Sequence, residues 1–397
     1  MYNRILNILK SQSFLVFGPR GCGKTSYLRK LFPEESGHIW IDLLDDSLYQ
    51  RLLVNSGEFK QLIPPSFDSK NLWIVCDEIQ RLPTLLNYVH MMIESGKGYR
   101  FAITGSSARK LKRGGANLLA GRALWNTIHP LTSFELGNDF DLEHVLKWGQ
   151  LPKIFFLATD IERKEFLKSY IMTYLRQEIK EEQIVRRLEP FVRFLEVAAQ
   201  QNGKIINATK IGRHALCDAT AVIRYFEILV DTLIGFYLEP YHKSARKVQT
   251  AKAKFYFFDI GVQRTLARQF GDILISDGYV LGNLFEHFVI LECMRLNEYF
   301  RTDFRFYYVR TKDDVEIDLL IERSVTEIWA IEIKSSARVD ETELKKQKKL
   351  ADDLQAKRFI VASRETNLRT VDGIEIMPWQ QVLKEIFPQM LASKIDV

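Results

Sequence analysis

The segment Gly18-Pro19-Arg20-Gly21-Cys22-Gly23-Lys24-Thr25 matches the pattern G-x-x-x-x-G-K-[ST] at every defined position. An apolar run at residues 14–17 precedes it and a helical pattern follows it, which is the context of a phosphate-binding loop. Glycines let backbone N–H groups surround phosphate oxygens, and the helix N-terminus adds positive potential. The segment therefore predicts a nucleotide site formed by Gly18, Pro19, Arg20, Gly21, Cys22, Gly23, Lys24, Thr25 and Ser26.

The chemistry expected of this loop is ATP binding with Mg²⁺. Lys24 would reach the β- and γ-phosphates, and the Thr25 hydroxyl would ligate the metal. Around the loop, short apolar runs alternate with polar helical stretches; the runs are residues 14–17, 38–43, 72–76, 101–104 and 125–128. This alternation predicts an α/β domain over residues 1–140, with a parallel sheet covered by helices.

Two acidic residues, Asp77 and Glu78, follow the apolar run at residues 72–76. Asp77 would hold Mg²⁺ through water, and Glu78 would orient or deprotonate the water that attacks the γ-phosphate. An acidic pair at a strand end can also be a helix N-cap. Downstream of a complete phosphate loop, we expect the catalytic role.

Further candidates come from the next two strands. The run at 101–104 leads into Gly105, Ser106 and Ser107, which could contact the γ-phosphate or simply form a turn. Arg122 is the candidate arginine finger, acting on its own nucleotide or on that of a neighbouring subunit in a homo-oligomer. Arg109 is the second choice, and either arginine could instead be a surface cation.

The rest of the chain predicts three further regions. Residues 141–190 have helical periodicity typical of a connector, and residues 191–254 have helix-turn-helix spacing about a turn at 217–219. The basic stretch that follows, ending in a strand-like run at 255–258, would suit the wing of a winged helix. DNA contact would involve Arg213, Arg224, Lys247 and Lys252, with Lys243, Arg246 and Lys254 in the same stretch. The alternative is a packing unit between domains.

Residues 255–397 predict a second α/β domain with a β-hairpin that turns near residues 323–326. Asp318 and Glu332 are symmetric about residue 325, so they should lie side by side, with Lys334 on the same face. This is the D…E-x-K arrangement of a metal-dependent phosphodiesterase, in which the acids hold Mg²⁺ and the lysine stabilises charge. Glu286 could add a metal ligand. The alternative is a buried structural ion pair between Asp318 and Lys334.

Several segments together resemble the AAA+-like, STAND-related P-loop ATPases of bacteria and archaea. They are GPRGCGKT, the Asp77-Glu78 strand end, ITGSSARKL (103–111), LLAGRA (118–123), HPLTSFELG (129–137), LKWGQLPKI (146–154) and KFYFFDIGV (254–262). The resemblance covers nearly the whole chain. It implies a sheet of the additional-strand catalytic-glutamate type, a winged-helix middle region and a restriction-endonuclease-like (PD-(D/E)xK) C-terminal domain of unknown function.

Composition sets the remaining expectations. A net charge of +6 favours an anionic partner, although 50 acidic and 56 basic residues leave the charge mixed. Four widely spaced cysteines predict reduced thiols in a cytoplasmic protein, and no apolar run is long enough to span a membrane. The leading hypothesis is an ATPase whose nucleotide state controls a DNA-binding C-terminal half. For this half, both an active Mg²⁺-dependent nuclease and an inactive nuclease-like domain are considered. The alternative is a signalling or assembly ATPase with an inert nuclease-like docking domain.

Overall fold

The computed structural model describes residues 2–63, 72–106, 119–174, 179, 188–242, 252–270 and 278–392. The chain separates into two compact units. The N-terminal unit comprises Leu6–Pro130 with Asp231–Ile234, and the C-terminal unit comprises Met1–Ile5, Leu131–Val230 and Gly235–Val397. The four-part domain division expected from sequence stays a prediction.

The N-terminal unit is a five-stranded parallel sheet with helices. Its elements are β1 (Ser13–Phe17), α1 (Lys24–Leu31), β2 (Ile39–Asp42), α2 (Asp46–Val54), β3 (Trp73–Asp77), α3 (Leu85–Glu94), β4 (Arg100–Gly105) and β5 (Ala123–Thr127), with 3-10 turns at Glu34–Ser36, Ser56–Leu62 and Ile79–Arg81. All five predicted strands are present. The strand order is β2-β3-β4-β1-β5.

This order places β4 between the strand of the phosphate loop and the strand of the acidic pair. An added strand at that position is what the family resemblance implies. The core forms because β1, β3 and β4 are almost continuously apolar and buried on both faces, as in parallel sheets. Because parallel strands end at one edge, residues 18, 77 and 105 are brought to the same side of the sheet.

The helices of the C-terminal unit begin directly after residue 131. They are α4 (Ser133–Leu136), α5 (Leu142–Trp148), α6 (Asp160–Thr173), α7 (Leu188–Gln200), α8 (Ala208–Ala215), α9 (Ala219–Asp231), α10 (Ile260–Leu266), α11 (Gly278–Phe300), α12 (Lys345–Asp353), α13 (Trp379–Ile386) and α14 (Gln389–Ala392), with 3-10 turns at Gly137–Asp139, Pro152–Phe156 and Glu341–Leu344. Helices α4 and α6 start with capping boxes, at Thr132 with Glu135 and at Thr159 with Glu162. The predicted pair of helices flanking residues 217–219 corresponds to α8 and α9.

The second sheet has eight strands in the order β12-β13-β11-β10-β9-β8-β6-β7. They are β6 (Gly235–Pro240), β7 (Lys254–Phe257), β8 (Arg305–Arg310), β9 (Glu316–Ser324), β10 (Glu327–Ile333), β11 (Arg358–Ser363), β12 (Arg369–Val371) and β13 (Ile374–Pro378). The apolar faces of this sheet and of α11 and α13 share one buried core. The predicted hairpin is confirmed, since β9 and β10 are antiparallel and Ile328 pairs with Glu322.

The predicted wing has a different setting from the expected one. β7 pairs antiparallel with β6, as a wing strand would, but β6 also pairs in parallel with β8 and so belongs to the large sheet. The basic residues Lys243, Arg246 and Lys247 lie outside the described residues. In the part of the chain that is described, the four cysteines are free thiols, and no helix is long and apolar enough to cross a membrane.

Candidate functional site

The phosphate loop connects β1 to α1, and its glycines are there for steric reasons. A Cβ on Gly18 would lie 2.1 Å from the carbonyl oxygen of Ile128, so no larger residue fits. Gly21 and Gly23 have φ angles of 73° and 88°, in the left-handed region that favours glycine. The loop thus passes close to Ile128, the residue that follows β5, and then turns tightly into α1.

Lys24 is buried against this loop. Its ammonium group donates to the carbonyl oxygens of Gly18 at 2.9 Å and Pro19 at 3.1 Å. Among the other predicted loop residues, Pro19 and Cys22 are buried, and Arg20, Thr25 and Ser26 are half-buried. A buried ammonium held only by neutral carbonyls would gain free energy from an anion, because charge-assisted hydrogen bonds are the stronger ones.

Asp77 lies at the end of β3 and is fully buried. Its Oδ1 atom accepts a hydrogen bond from the Thr104 hydroxyl. Burial raises the pKa of Asp77, hydrogen bonds from Thr104 and Thr25 oppose that rise, and the nearby carboxylates of Glu78 and Asp42 add to it. Oδ2 has no hydrogen-bond partner. A buried carboxylate oxygen without a partner, next to the Thr25 hydroxyl, fits the oxygen ligands that Mg²⁺ requires.

Glu78 follows with an uncommon backbone conformation, φ 58° and ψ 42°. Its N–H donates to Thr104 Oγ1 at 2.9 Å, and its carboxylate accepts from the amide nitrogen of Gln80. The same Gln80 nitrogen donates to Ser106 Oγ at 3.0 Å. Thr104 therefore joins the backbone of Glu78 to Asp77, while Gln80 joins the side chain of Glu78 to Ser106.

The phosphate loop, Asp77, Glu78, Thr104 and Ser106 thus meet at one sheet edge, as the sequence predicts. The sequence analysis did not identify Gln80 as a site residue. Its position two residues after Glu78 was the signal that could have indicated it. Ser107 and Arg109 lie outside the described residues.

The C-terminal hairpin brings its own charged side chains together. Asp318 Oδ2 accepts from the backbone N–H of Ile333 at 2.8 Å, which places Asp318 beside residue 332 as predicted. Lys334 Nζ lies 2.8 Å from Glu332 Oε1, so Lys334 forms its ion pair with Glu332 and not with Asp318. Burial, and then the charges of Glu332 and Glu286, raise the pKa of Asp318 well above its usual range.

Glu286, on α11, has partners that the sequence did not indicate. Its Oε1 atom accepts from the Tyr256 hydroxyl at 2.5 Å and from Lys254 Nζ at 3.1 Å. Lys254 also lies 2.6 Å from Glu316 Oε1. Burial alone would raise the pKa of Glu286, but Lys254 and Tyr256 bring it below its usual value.

Residues 10–137 match the family model of an AAA domain. Residues 139–272 and 281–382 match two models described as domains of unknown function, DUF8612 and DUF4143.

Residues 10–137 form an AAA domain. Relatives align over most of the chain. An uncharacterized protein of Mycobacterium tuberculosis is 24% identical over 373 residues, covering 93% of this chain and 80% of the relative, and one of Mycobacterium bovis gives the same values. An uncharacterized protein of Methanocaldococcus jannaschii is 22% identical over 375 residues, covering 88% and 81%.

Among solved structures, the ORC2 protein of Aeropyrum pernix in ADPNP–ADP complexes is 12% identical, with 66% of this chain and 88% of that chain covered. Its TM-score is 0.25, which is too low to carry a structural argument.

Within the AAA domain, Arg122 is far from the phosphate loop. It directly precedes β5, whose first residue, Ala123, pairs with Ser13 at the start of β1, whereas the loop leaves the other end of β1. Five strand residues separate the two ends, about 15 Å. Arg122 instead forms an ion pair with Glu94 at the end of α3. The prediction that Arg122 acts on its own nucleotide is wrong, and a role on a neighbouring subunit stays a prediction.

The C-terminal carboxylates do not fit a metal centre in this arrangement. In the described ranges, no group of three or more His, Cys, Asp or Glu side chains is placed to hold a metal ion. Glu286 is engaged by Lys254 and Tyr256, and Glu332 by Lys334, which leaves Glu332 Oε2 as a buried oxygen without a partner. The predicted ligands Glu286, Asp318 and Glu332 are therefore near one another but are not arranged to hold a metal ion.

Proposed function

We propose that this protein binds ATP with Mg²⁺ and hydrolyses it at the AAA domain. The observation that carries the proposal is the connected group at the sheet edge: the Thr104 hydroxyl donates to Asp77 and accepts from the backbone N–H of Glu78, and Thr25 lies beside Asp77. One hydroxyl thereby links the metal-binding carboxylate to the predicted general base.

Each residue has a defined role in this proposal. Lys24 would exchange its two carbonyl partners for phosphate oxygens, and the loop amides would hold the remaining phosphate charge. Thr25 and Asp77 would hold Mg²⁺, which would neutralise negative charge on the phosphates. Glu78, oriented by Gln80, would accept a proton from the attacking water.

Two variants test the proposal against a matched control. Lys24→Ala should abolish binding of a fluorescent ATP analogue, whereas Glu78→Gln should bind it normally and lower turnover about 100-fold, the scale of a lost general base. Lys30→Ala, on the exposed side of the same helix, should leave both unchanged. Normal phosphate release by Glu78→Gln would show that the base is elsewhere.

We further propose that the nucleotide state controls a DNA-binding C-terminal half. Support comes from α8 and α9, which flank a short turn, and from their exposed arginines Arg213 and Arg224. The net charge of +6 favours an anionic partner. A winged-helix role for this region rests on the same helices together with the antiparallel β6 and β7.

The DNA proposal is tested by fluorescence anisotropy on duplex DNA across a salt series. The double substitution Arg213→Ala/Arg224→Ala should raise the Kd about tenfold and flatten the salt dependence, because fewer counterions are released. Arg305→Ala, an exposed arginine on β8, is the control. Equal affinity of all three proteins would reject the proposed surface.

The second candidate is a signalling or assembly ATPase whose nuclease-like domain is inert. The observation that favours it is the pairing of Glu286 and Glu332 with lysines. Incubation of plasmid DNA with Mg²⁺ separates it from a nuclease: cleavage that disappears in Asp318→Ala and in Lys334→Ala would establish a nuclease, and absence of cleavage supports the inert domain.

If Arg122 acts on a neighbouring subunit, specific ATPase activity should rise with protein concentration.

A further inference from the structure

Lys254, the first residue of β7, is a charged side chain in a buried position. Only 3% of its surface is exposed. Removing an ammonium group from water costs several kcal/mol unless opposite charges and hydrogen bonds replace the water. The position therefore calls for a specific set of partners.

The partners are carboxylates from two other elements. Lys254 Nζ lies 2.6 Å from Oε1 of Glu316, at the start of β9, and 3.1 Å from Oε1 of Glu286, on α11. It also lies 5.4 Å from the ring centroid of Tyr308. Although burial lowers the pKa of Lys254, Glu286, Asp318 and Glu316 raise it above its ordinary value. The side chain is thus a permanent cation.

The surroundings carry charges of both signs. Four carboxyl groups, those of Glu286, Glu316, Asp318 and Glu332, meet the ammonium groups of Lys254 and Lys334. In addition, Arg310 Nη1 lies 3.5 Å from Glu316 Oε2, and the charge of Lys204 acts on Glu286. In a metal-dependent phosphodiesterase, a divalent cation compensates such a group of acids. Here Lys254 supplies the positive charge that lies beside Glu286.

We propose that Lys254 is the resident cation of this carboxylate cluster and supplies the charge that a divalent metal would otherwise supply, so that the cluster binds no Mg²⁺. The inference deepens the second candidate function, because it gives the physical reason why a nuclease-like hairpin would be inert. It is independent of the ATP site. It also gives a role to KFYFFDIGV, the sequence block that Lys254 begins.

The proposal makes an unusual prediction, a gain of metal binding on removal of a lysine. In Lys254→Met, Glu286 loses its ion pair with Lys254, and Glu316 keeps only the longer contact with Arg310. The unpartnered Oε2 of Glu332 is available in the same cluster. Carboxylates that have lost an ion pair offer the hard oxygen ligands that a divalent ion takes once the side chains rearrange around it.

The experiment measures Mn²⁺ binding to the full chain without nucleotide, by electron paramagnetic resonance of free Mn²⁺. Each protein is compared with the same protein carrying Asp318→Asn, so that any contribution of the AAA site cancels. We expect no Asp318-dependent binding in the parent chain. Lys254→Met should gain one site per chain, and adding Asp318→Asn should weaken that site at least about tenfold.

Lys348→Met is the matched control, because this half-buried lysine forms its ion pair with Asp352 on α12, outside the cluster. It should bind no more Mn²⁺ than the parent. Circular dichroism checks the fold, and the parent comparison with Asp318→Asn holds even if Lys254→Met does not fold. Asp318-dependent Mn²⁺ binding in the parent would overturn the proposal, as would a folded Lys254→Met chain without a new site. Neither result would affect the ATPase proposal.

Discussion

Gln80 is buried two residues after Glu78, and its amide nitrogen donates to both Glu78 and Ser106. A carboxylate that must abstract a proton from water needs a defined orientation, and neighbouring hydrogen bonds supply it. Gln80 is therefore a positioning residue in the proposed mechanism. Glu78 itself has a left-handed backbone, a conformation that non-glycine residues seldom adopt and that is concentrated at functional sites.

Gln80→Ala should lower kcat for ATP hydrolysis about tenfold and leave KM nearly unchanged, because Gln80 acts on Glu78 and not on bound ATP. Steady-state kinetics with phosphate detection measures both constants. Gln80→Glu is a useful companion, since a second carboxylate next to Glu78 should lower kcat further. A rise in KM with normal kcat would show that Gln80 contacts the nucleotide instead.

The buried imidazole of His287 should make the stability of the C-terminal unit depend on pH. Its Nε2 donates to the carbonyl oxygen of Phe257 at 2.7 Å, whereas the buried Nδ1 has no partner. Burial lowers the pKa of His287 to about 4. Because the unfolded chain binds this proton at an ordinary pKa of about 6.5, the stabilisation is present above pH 6.5 and is lost as pH falls toward 4.

Between pH 7 and pH 5, this group should remove about 2 kcal/mol from the free energy of unfolding. Urea unfolding at the two pH values measures the loss in the parent chain and in His287→Gln, which keeps a donor near Phe257 but does not titrate. The variant should lose about 2 kcal/mol less than the parent over this interval. Equal losses would mean that His287 is accessible to protons in the folded state.

At the scale of elements, α11 forms hydrogen bonds with three of the segments that carry the family resemblance. None of these three segments has a catalytic role in the proposed mechanism. Glu292 accepts from Ser133 of HPLTSFELG, at 2.9 Å from the N–H and 2.5 Å from the hydroxyl, and from Gln150 of LKWGQLPKI at 2.9 Å. Arg295 donates to the carbonyl oxygen of Phe258 in KFYFFDIGV at 2.8 Å. These blocks are thus explained by one buried polar network around a single helix.

Arg295→Met should destabilise the C-terminal unit by about 3–5 kcal/mol, because Glu292 stays buried without its cation and the carbonyl oxygens of Leu131 and Phe258 lose a donor. The double variant Glu292→Gln/Arg295→Met should be destabilised by less than the sum of the two single variants, since it removes both charges. Chemical denaturation of the three variants provides this cycle. Simple additivity would mean that the two side chains act independently.

At the scale of the whole molecule, the two units have separate cores, so the direct stabilisation by nucleotide should appear in the N-terminal unit. Nucleotide that binds only the folded AAA domain should stabilise the N-terminal unit by mass action, by about 2.7 kcal/mol at 100 times Kd. Hydrogen exchange should show ATP-analogue protection in peptides covering β1, α1, β3 and β4. Lys24→Ala should remove that protection. Protection confined to the C-terminal unit would place the nucleotide elsewhere.

Much of this site could be predicted because its signals are local. The phosphate loop is eight consecutive residues whose spacing is dictated by the ligand, and the strand ends were recognisable as buried runs followed by polar residues. The hairpin register followed from a symmetry about one turn, and Ile328 pairs with Glu322 accordingly. Such features depend on neighbours in the chain, so a sequence displays them directly.

Tertiary structure decided what the charged residues do. Arg122 directly precedes a strand whose parallel pairing with β1 places it at the end away from the phosphate loop. Lys254 meets carboxylates 32 and 62 residues farther along the chain. The sequence by itself determined the nucleotide loop and the strands, because backbone sterics and hydrophobic periodicity act over a few residues. Only folding determined which charges became partners, because electrostatic energy depends on distance in space and on exclusion of water.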